Sequence, residues 1–151
     1  MFNNDLQLHK NELNVEKIFN SWYKKYKNLN YGAFITFVGI VRDEDSISGL
    51  SFDIYEPILK SWFASWQERA KKQEAIVLMA HSLGDVKNHE SSYIAAVCSP
   101  KRRVALELID EFVEDFKKNA PIWKYDLINN ERVYALNRST KIAGAGILSW
   151  E

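Results

Sequence analysis

Two prolines, Pro100 and Pro121, punctuate the stretch from Ser92 to Ile128 and leave it few ways to fold. Ser92 to Cys98 is small and apolar enough to be a central strand. Ser99 can cap a following helix, and Pro100 can take its first position, where a missing N–H costs nothing. Val104, Leu108, Ile109, Phe112, Val113 and Phe116 then fall on one apolar stripe, and Pro121 ends the helix. Beyond it, Ile122 to Ile128 and Arg132 to Leu136, separated by Asn129-Asn130, predict a hairpin.

The rest of the chain is read the same way. Phe2 to Leu13 alternates loosely and predicts an edge strand. A helix over Val15 to Lys27 follows, with Asn14 as its N-cap and Ile18, Phe19, Trp22, Tyr23 and Tyr26 on one stripe. Ala33 to Val41, β-branched and aromatic, predicts a buried strand ending at Arg42. After a polar loop, Asp43 to Gly49, comes an alternating strand, Leu50 to Tyr55. Pro57 suits the first turn of a helix reaching about Lys72, with Ile58, Trp62, Trp66 and Ala70 at helical spacing. Ala75 to Ala80 predicts a strand and His81 to Val86 a turn. This irregular alternation predicts an α+β fold with mixed and antiparallel strands and three main helices, not a doubly wound sheet. Residues 1–151 read as one domain, with the tail 139–151 either mobile or docked at an interface.

Twenty Lys and Arg balance twenty Asp and Glu, so no global charge steers the chain toward nucleic acid or an anionic membrane. Any electrostatic function is local. The lone Cys98 excludes an internal disulfide and a multi-cysteine zinc site, and inside a strand it reads as inert. His9, His81 and His89 lack metal-ligand spacing, so no metal is expected; His81, ending an apolar strand, reads as a hydrogen-bonded structural group. The tryptophans fall on core positions and read as packing. No basic leader with an apolar core opens the chain, and no apolar run approaches the ~20 residues of a membrane span, so a cytoplasmic location is expected.

The candidate chemistry is cationic, gathered around the corner Pro121-Ile122-Trp123-Lys124. Lys101, Arg102 and Arg103 occupy a helix start, where the macrodipole favours acids. Either an anion bridges them or they point into water or pair with carboxylates. Lys117 and Lys118 suit a helix C-terminus, but Lys117 also borders the apolar stripe, where a lysine can act as nucleophile or proton acceptor. Lys124 follows Trp123 in a strand, so the two face opposite ways. Arg42 at its strand end can clamp a phosphate or pair with Asp43 or Glu44.

Thr36-Phe37-Val38-Gly39-Ile40-Val41-Arg42-Asp43, Tyr55-Glu56, His81-Ser82-Leu83-Gly84, Ser99-Pro100-Lys101-Arg102, Lys117 and Ala120-Pro121-Ile122-Trp123-Lys124 together resemble the large, catalytic subunit of molybdopterin synthase. The match in order and spacing runs from about Ala33 to Arg138. The resemblance implies an α/β hammerhead-type fold and a sulfur transferase of molybdenum cofactor biosynthesis. Such an enzyme converts cyclic pyranopterin monophosphate, precursor Z, to molybdopterin by adding two sulfurs. It implies that a small ubiquitin-like subunit brings the sulfur as a thiocarboxylate on its C-terminal Gly-Gly, with no cofactor. It also implies a homodimer of large subunits within a heterotetramer. By the same resemblance Arg42, Lys101, Arg102 and Arg138 bind substrate, with Arg138 reaching across the dimer. Lys117 sits near the partner's terminal carbonyl, and Lys124 is the second catalytic lysine. The family usually carries His-Arg where this chain has Lys101-Arg102, an imidazole exchanged for a stronger cation; binding is expected to survive and the enzyme to be active. The alternatives are a non-catalytic anion-binding or partner-binding scaffold of the same fold, and a single-stranded nucleic-acid binder, which the neutral charge disfavours.

Overall fold

The computed structural model describes residues 5–44 and 46–134. In chain order its elements are β1 (Leu6–Lys10), α1 (Val15–Tyr26), β2 (Ala33–Ile40), β3 (Gly49–Ile54), α2 (Glu56–Lys71), β4 (Ile76–Lys87), β5 (Ser91–Ser99), α3 (Arg102–Asn119), β6 (Ile122–Ile128) and β7 (Glu131–Tyr134), with a 3-10 turn at Lys27–Leu29. The strands form one sheet in the order β2-β5-β4-β3-β6-β7; β1 lies parallel to β4, and the other ladders are antiparallel. Three helices on a mixed sheet match the expected α+β architecture. Among the described residues, no helix is long and apolar enough to cross a membrane.

Strand β5 is buried at every position, as its composition predicts. Its alternating side chains divide the core. Ala95 and Val97, with Val77 and Met79 of β4, pack under α2 and α3, whereas Ile94, Ala96 and Cys98, with Leu78 and Ala80, pack against Ile18 and Trp22 of α1. Asn14 caps α1 through its side-chain oxygen, which accepts from Lys17 N at 3.1 Å. Asn129 and Asn130 both take positive φ, the geometry a two-residue hairpin turn needs.

Four expectations are corrected. His81 to Val86 does not turn the chain: β4 runs on through it, pairing with β5 up to His81 and with β3 from Gly84, whose φ of +82° lets the strand bend between partners. Helix α3 starts at Arg102, because Ser99 still belongs to β5 and donates its hydroxyl to Lys101 O, leaving Lys101 as N-cap. Strand β2 is half-buried at the sheet edge, with Phe37 41% and Ile40 59% exposed. The buried stripe of α2 is Leu59, Phe63, Trp66 and Ala70, with Ile58 and Trp62 only half-covered.

That rotation of α2 brings two indoles onto one carboxylate. Trp62 and Trp66 each donate Nε1–H to Asp115 Oδ2 of α3, at 2.8 and 2.7 Å, and Trp62, Trp66 and Phe112 pack together. Partial burial pushes the Asp115 carboxyl up, but hydrogen bonds from Asn119 and both indoles, with the Arg69 charge, outweigh it and hold it below its ordinary value. A carboxyl held low when folded contributes stability above its unfolded pKa, near about 4, and loses it as pH falls further. Asp115→Ala strands two indole donors. Urea titration at pH 7 is expected to show a loss of about 1–2 kcal/mol, narrowing as pH drops below about 4.

Candidate active site

Three elements distant in sequence meet at one cavity of about 320 Å³ between the end of β2, the end of α3 and β6. Arg42 follows Val41, whose backbone is tied to the β4–β5 connection by Val41 N to Glu90 O and His89 N to Val41 O, at 2.9 and 2.7 Å. Lys117 lies in the last turn of α3, where the helix dipole favours a cation. Ala120 then leaves the helix in an extended conformation and Pro121 is fully buried, which turns the chain into β6 and sets Lys124 opposite Phe52 of β3. Trp123 faces the other way and is buried, as strand alternation requires.

The cations share the cavity with an aromatic and aliphatic wall. Phe37, Phe52, Tyr93, Val113 and Phe116 supply its walls, and the Tyr93 and Phe116 rings stack at 4.1 Å, 7° from parallel. Arg42, 82% exposed, pairs with Glu44 at 2.9 Å. Such an exposed pair is worth about 0–1 kcal/mol, so an incoming anion can take the guanidinium over. Lys117 makes no ion pair among the described residues. A rim of cations beside an apolar wall strengthens attraction for an anion relative to open water.

Arg42, Lys117 and Lys124 are therefore brought together. Lys101 and Arg102 are exposed at the other end of α3, about 24 Å from Lys117 along the helix at 1.5 Å per residue, and they do not line the cavity. Arg138 lies outside the described residues. Cys98 is buried, and its thiol is pushed up to about 12, mainly by burial, in keeping with an inert core residue.

His81 and Tyr93 line the cavity without having been read as site residues. They are cross-strand partners in the β4–β5 ladder, a pairing that neither local segment reveals. Gly39 makes room for Tyr93, since a Cβ there would come within 3.3 Å of Tyr93 Cβ. The Tyr93 hydroxyl is buried without a hydrogen-bond partner, and burial raises its pKa well above normal. His81 Nδ1 lies 2.8 Å from Ser82 O. A carbonyl can only accept, so Nδ1 carries the proton and Nε2 the lone pair. Burial drives the imidazole pKa down to about 4, against a small upward push from the Ser82 bond, so the ring is neutral near pH 7.

The family follows from comparison with known proteins. A fold that places a cationic rim beside an aromatic wall can attract a small anion and offers faces on which a flat ring can pack. A family model described as MoaE protein matches residues 8–119. The molybdopterin synthase catalytic subunit of Helicobacter pylori strain 26695 is 48% identical over 95% of this chain and 99% of its own length. That of Bacillus subtilis is 29% identical over 80% and 78%. Among solved structures, the complex of subunits 1 and 2 of molybdopterin-converting factor from Helicobacter pylori 26695 superposes with a TM-score of 0.89 at 48% identity, over 96% of this chain and 99% of that one. Molybdopterin synthase from Staphylococcus aureus, at 20% identity, shares the fold with a TM-score of 0.74 over 86% and 96%. The chain belongs to the MoaE protein family.

The neutral, buried His81 makes stability depend on pH. Unfolded, it binds a proton near its ordinary value of 6.5; folded, it resists down to about 4, so stability falls as pH drops through that window. Between pH 7 and pH 4.5 the native protein is expected to lose on the order of 2 kcal/mol more than His81→Gln, which cannot titrate. Denaturant titrations of both proteins at the two pH values measure this. Equal losses would contradict it.

Proposed function

We propose that this chain is the catalytic subunit of a molybdopterin synthase, converting precursor Z to molybdopterin with sulfur delivered as a thiocarboxylate by a small ubiquitin-like subunit. The observation that carries this reading is the convergence of Arg42, Lys117 and Lys124 on one aromatic-walled cavity. The substrate has a cyclic phosphate and a planar heterocycle, and the partner's tail ends in an anion; the cavity offers cations and rings to both.

In this reading Arg42 holds the phosphate, for which a guanidinium fork is suited. The thiocarboxylate sulfur attacks a substrate carbon, forming the new C–S bond as that carbon's C–O bond breaks; the oxygen leaves on the phosphate where the cyclic ester opens, and as water where a hydroxyl or carbonyl oxygen is replaced, and a second carrier supplies the second sulfur in the same way. Water then adds to the resulting thioester carbonyl, and collapse of the tetrahedral adduct leaves sulfur on the substrate and a carboxylate on the tail. Lys117, at the end of α3, stabilises the oxyanion of that adduct, while Lys124 supports substrate binding and proton movement. The partner brings the nucleophile, so the cavity contributes positioning and charge stabilisation, and no cofactor is invoked.

Lys101 and Arg102 are too far along α3 to meet a substrate in the same copy's cavity. Their role as phosphate ligands is assigned to a second large subunit in a heterotetramer of two large and two small chains. Arg138 is assigned the same cross-dimer role. The enzyme acts in the cytoplasm, where a thiocarboxylated carrier protein would meet it.

Lys117→Ala separates catalysis from assembly. With the thiocarboxylated small subunit and precursor Z, the variant is expected to lose at least about 100-fold in molybdopterin formation, the scale of one lost oxyanion donor. Its affinity for the small subunit is expected to stay within about three-fold of native. Unchanged turnover would remove Lys117 from the chemistry, and a native protein that bound the partner without forming product would be a scaffold.

A further inference from the structure

We propose that His81 is a substrate-binding residue, its Nε2 accepting a hydrogen bond from an N–H on the edge of the pterin heterocycle and so fixing that ring in the cavity. The inference rests on the function proposed above and assigns the end of the substrate opposite the phosphate.

The cavity has two chemically distinct parts. Arg42, Lys117 and Lys124 are donors suited to anions. The aromatic wall consists mainly of Phe37, Phe52, Tyr93 and Phe116, whose faces suit a flat ring; its one hydroxyl, on Tyr93, is itself buried and so offers no exposed acceptor for the ring's N–H groups. Glu44 is an acceptor at the rim, but it sits beside Arg42 on the cationic side of the cavity, away from the end opposite the phosphate. His81 supplies what the wall lacks. It lines the cavity, its Nδ1–H is committed to Ser82 O at 2.8 Å, and Nε2 is not among the buried atoms left without a partner. The remaining polar atom of the ring is therefore an acceptor by tautomer.

The ring is also held still. Phe52 meets it edge-on at 4.9 Å, and Tyr93 and Phe116 pack against it at 5.7 and 5.5 Å. The backbone bond and three aromatic neighbours limit rotation, so the acceptor is set in place before substrate arrives and little entropy is lost on binding. Burial keeps it uncharged near neutral pH, which suits a group that must accept a proton-bearing edge without adding a fourth positive charge to the site. A peptide tail ending in Gly-Gly has amide N–H groups but no ring to lie against Phe116 and Tyr93, so the heterocycle is the better occupant of this wall.

Two substitutions separate this role from a structural one. In His81→Asn the side-chain amide can still donate to Ser82 O but cannot reach the ε position; in His81→Gln the amide oxygen can take the place of Nε2. Steady-state assays with the thiocarboxylated small subunit and varied precursor Z are expected to show His81→Asn raising KM about ten-fold, one hydrogen bond's worth, with kcat changed by less than about three-fold. His81→Gln is expected to stay close to native. An impaired Gln variant beside a native-like Asn variant, or two native-like variants, overturns the inference. Should either variant fold poorly, the native protein decides: its His81 Nε2 nitrogen-15 resonance moves upfield when precursor Z is added, and an unmoved resonance with substrate demonstrably bound overturns the inference. A native protein that turns over while His81→Asn keeps its KM sinks this inference alone, whereas one that binds neither precursor Z nor the partner sinks the function as well.

Discussion

The antiparallel pairing of β4 with β5 is the contact on which the rest of the molecule depends. Every residue of β5 is buried, so both faces of this pair must be covered, and α1 on one side with α2 and α3 on the other do so. The same pairing sets His81 beside Tyr93 and fixes where β4 leaves β5 to join β3. Because β6 pairs with β3, the bend at Gly84 also determines where Lys124 lies relative to the end of α3.

The cavity arises where these elements end. Helix α3 delivers Lys117 at its C-terminus, where a cation is favoured, and so the site places positive charge without a large penalty to the fold. Opposing demands are met side by side: charge near solvent at Arg42, and neutral, packed rings at His81, Tyr93 and Phe116. An orphaned hydroxyl on Tyr93 and an imidazole that gives up its charge are unfavourable for stability alone. Both occur at the cavity.

Features governed by neighbours in the chain were legible beforehand. Asn14 as a cap, the Asn129-Asn130 turn, Pro121 as a helix end and the burial of β5 all follow from local steric and hydrogen-bonding preferences. Features governed by distant partners were not. The passage of β4 through His81 to Val86 depends on β3 replacing β5 beside it, and the rotation of α2 depends on Asp115 receiving two indoles. Of the site, Arg42, Lys117 and Lys124 carry their chemistry in residue type and motif position. His81 resembles an ordinary core histidine until its ladder partner and its tautomer are known.

The central claim is that this cavity moves sulfur from a carrier's C-terminus to a pterin. The direct measurement is to prepare the small subunit with an isotopically heavy thiocarboxylate, mix it with the purified chain and precursor Z, and analyse both products by mass spectrometry. The account predicts molybdopterin carrying the heavy isotope in its dithiolene, with the carrier recovered as the ordinary carboxylate. Carrier that stays thiocarboxylated in a stable complex, with precursor Z bound and unchanged, would contradict it.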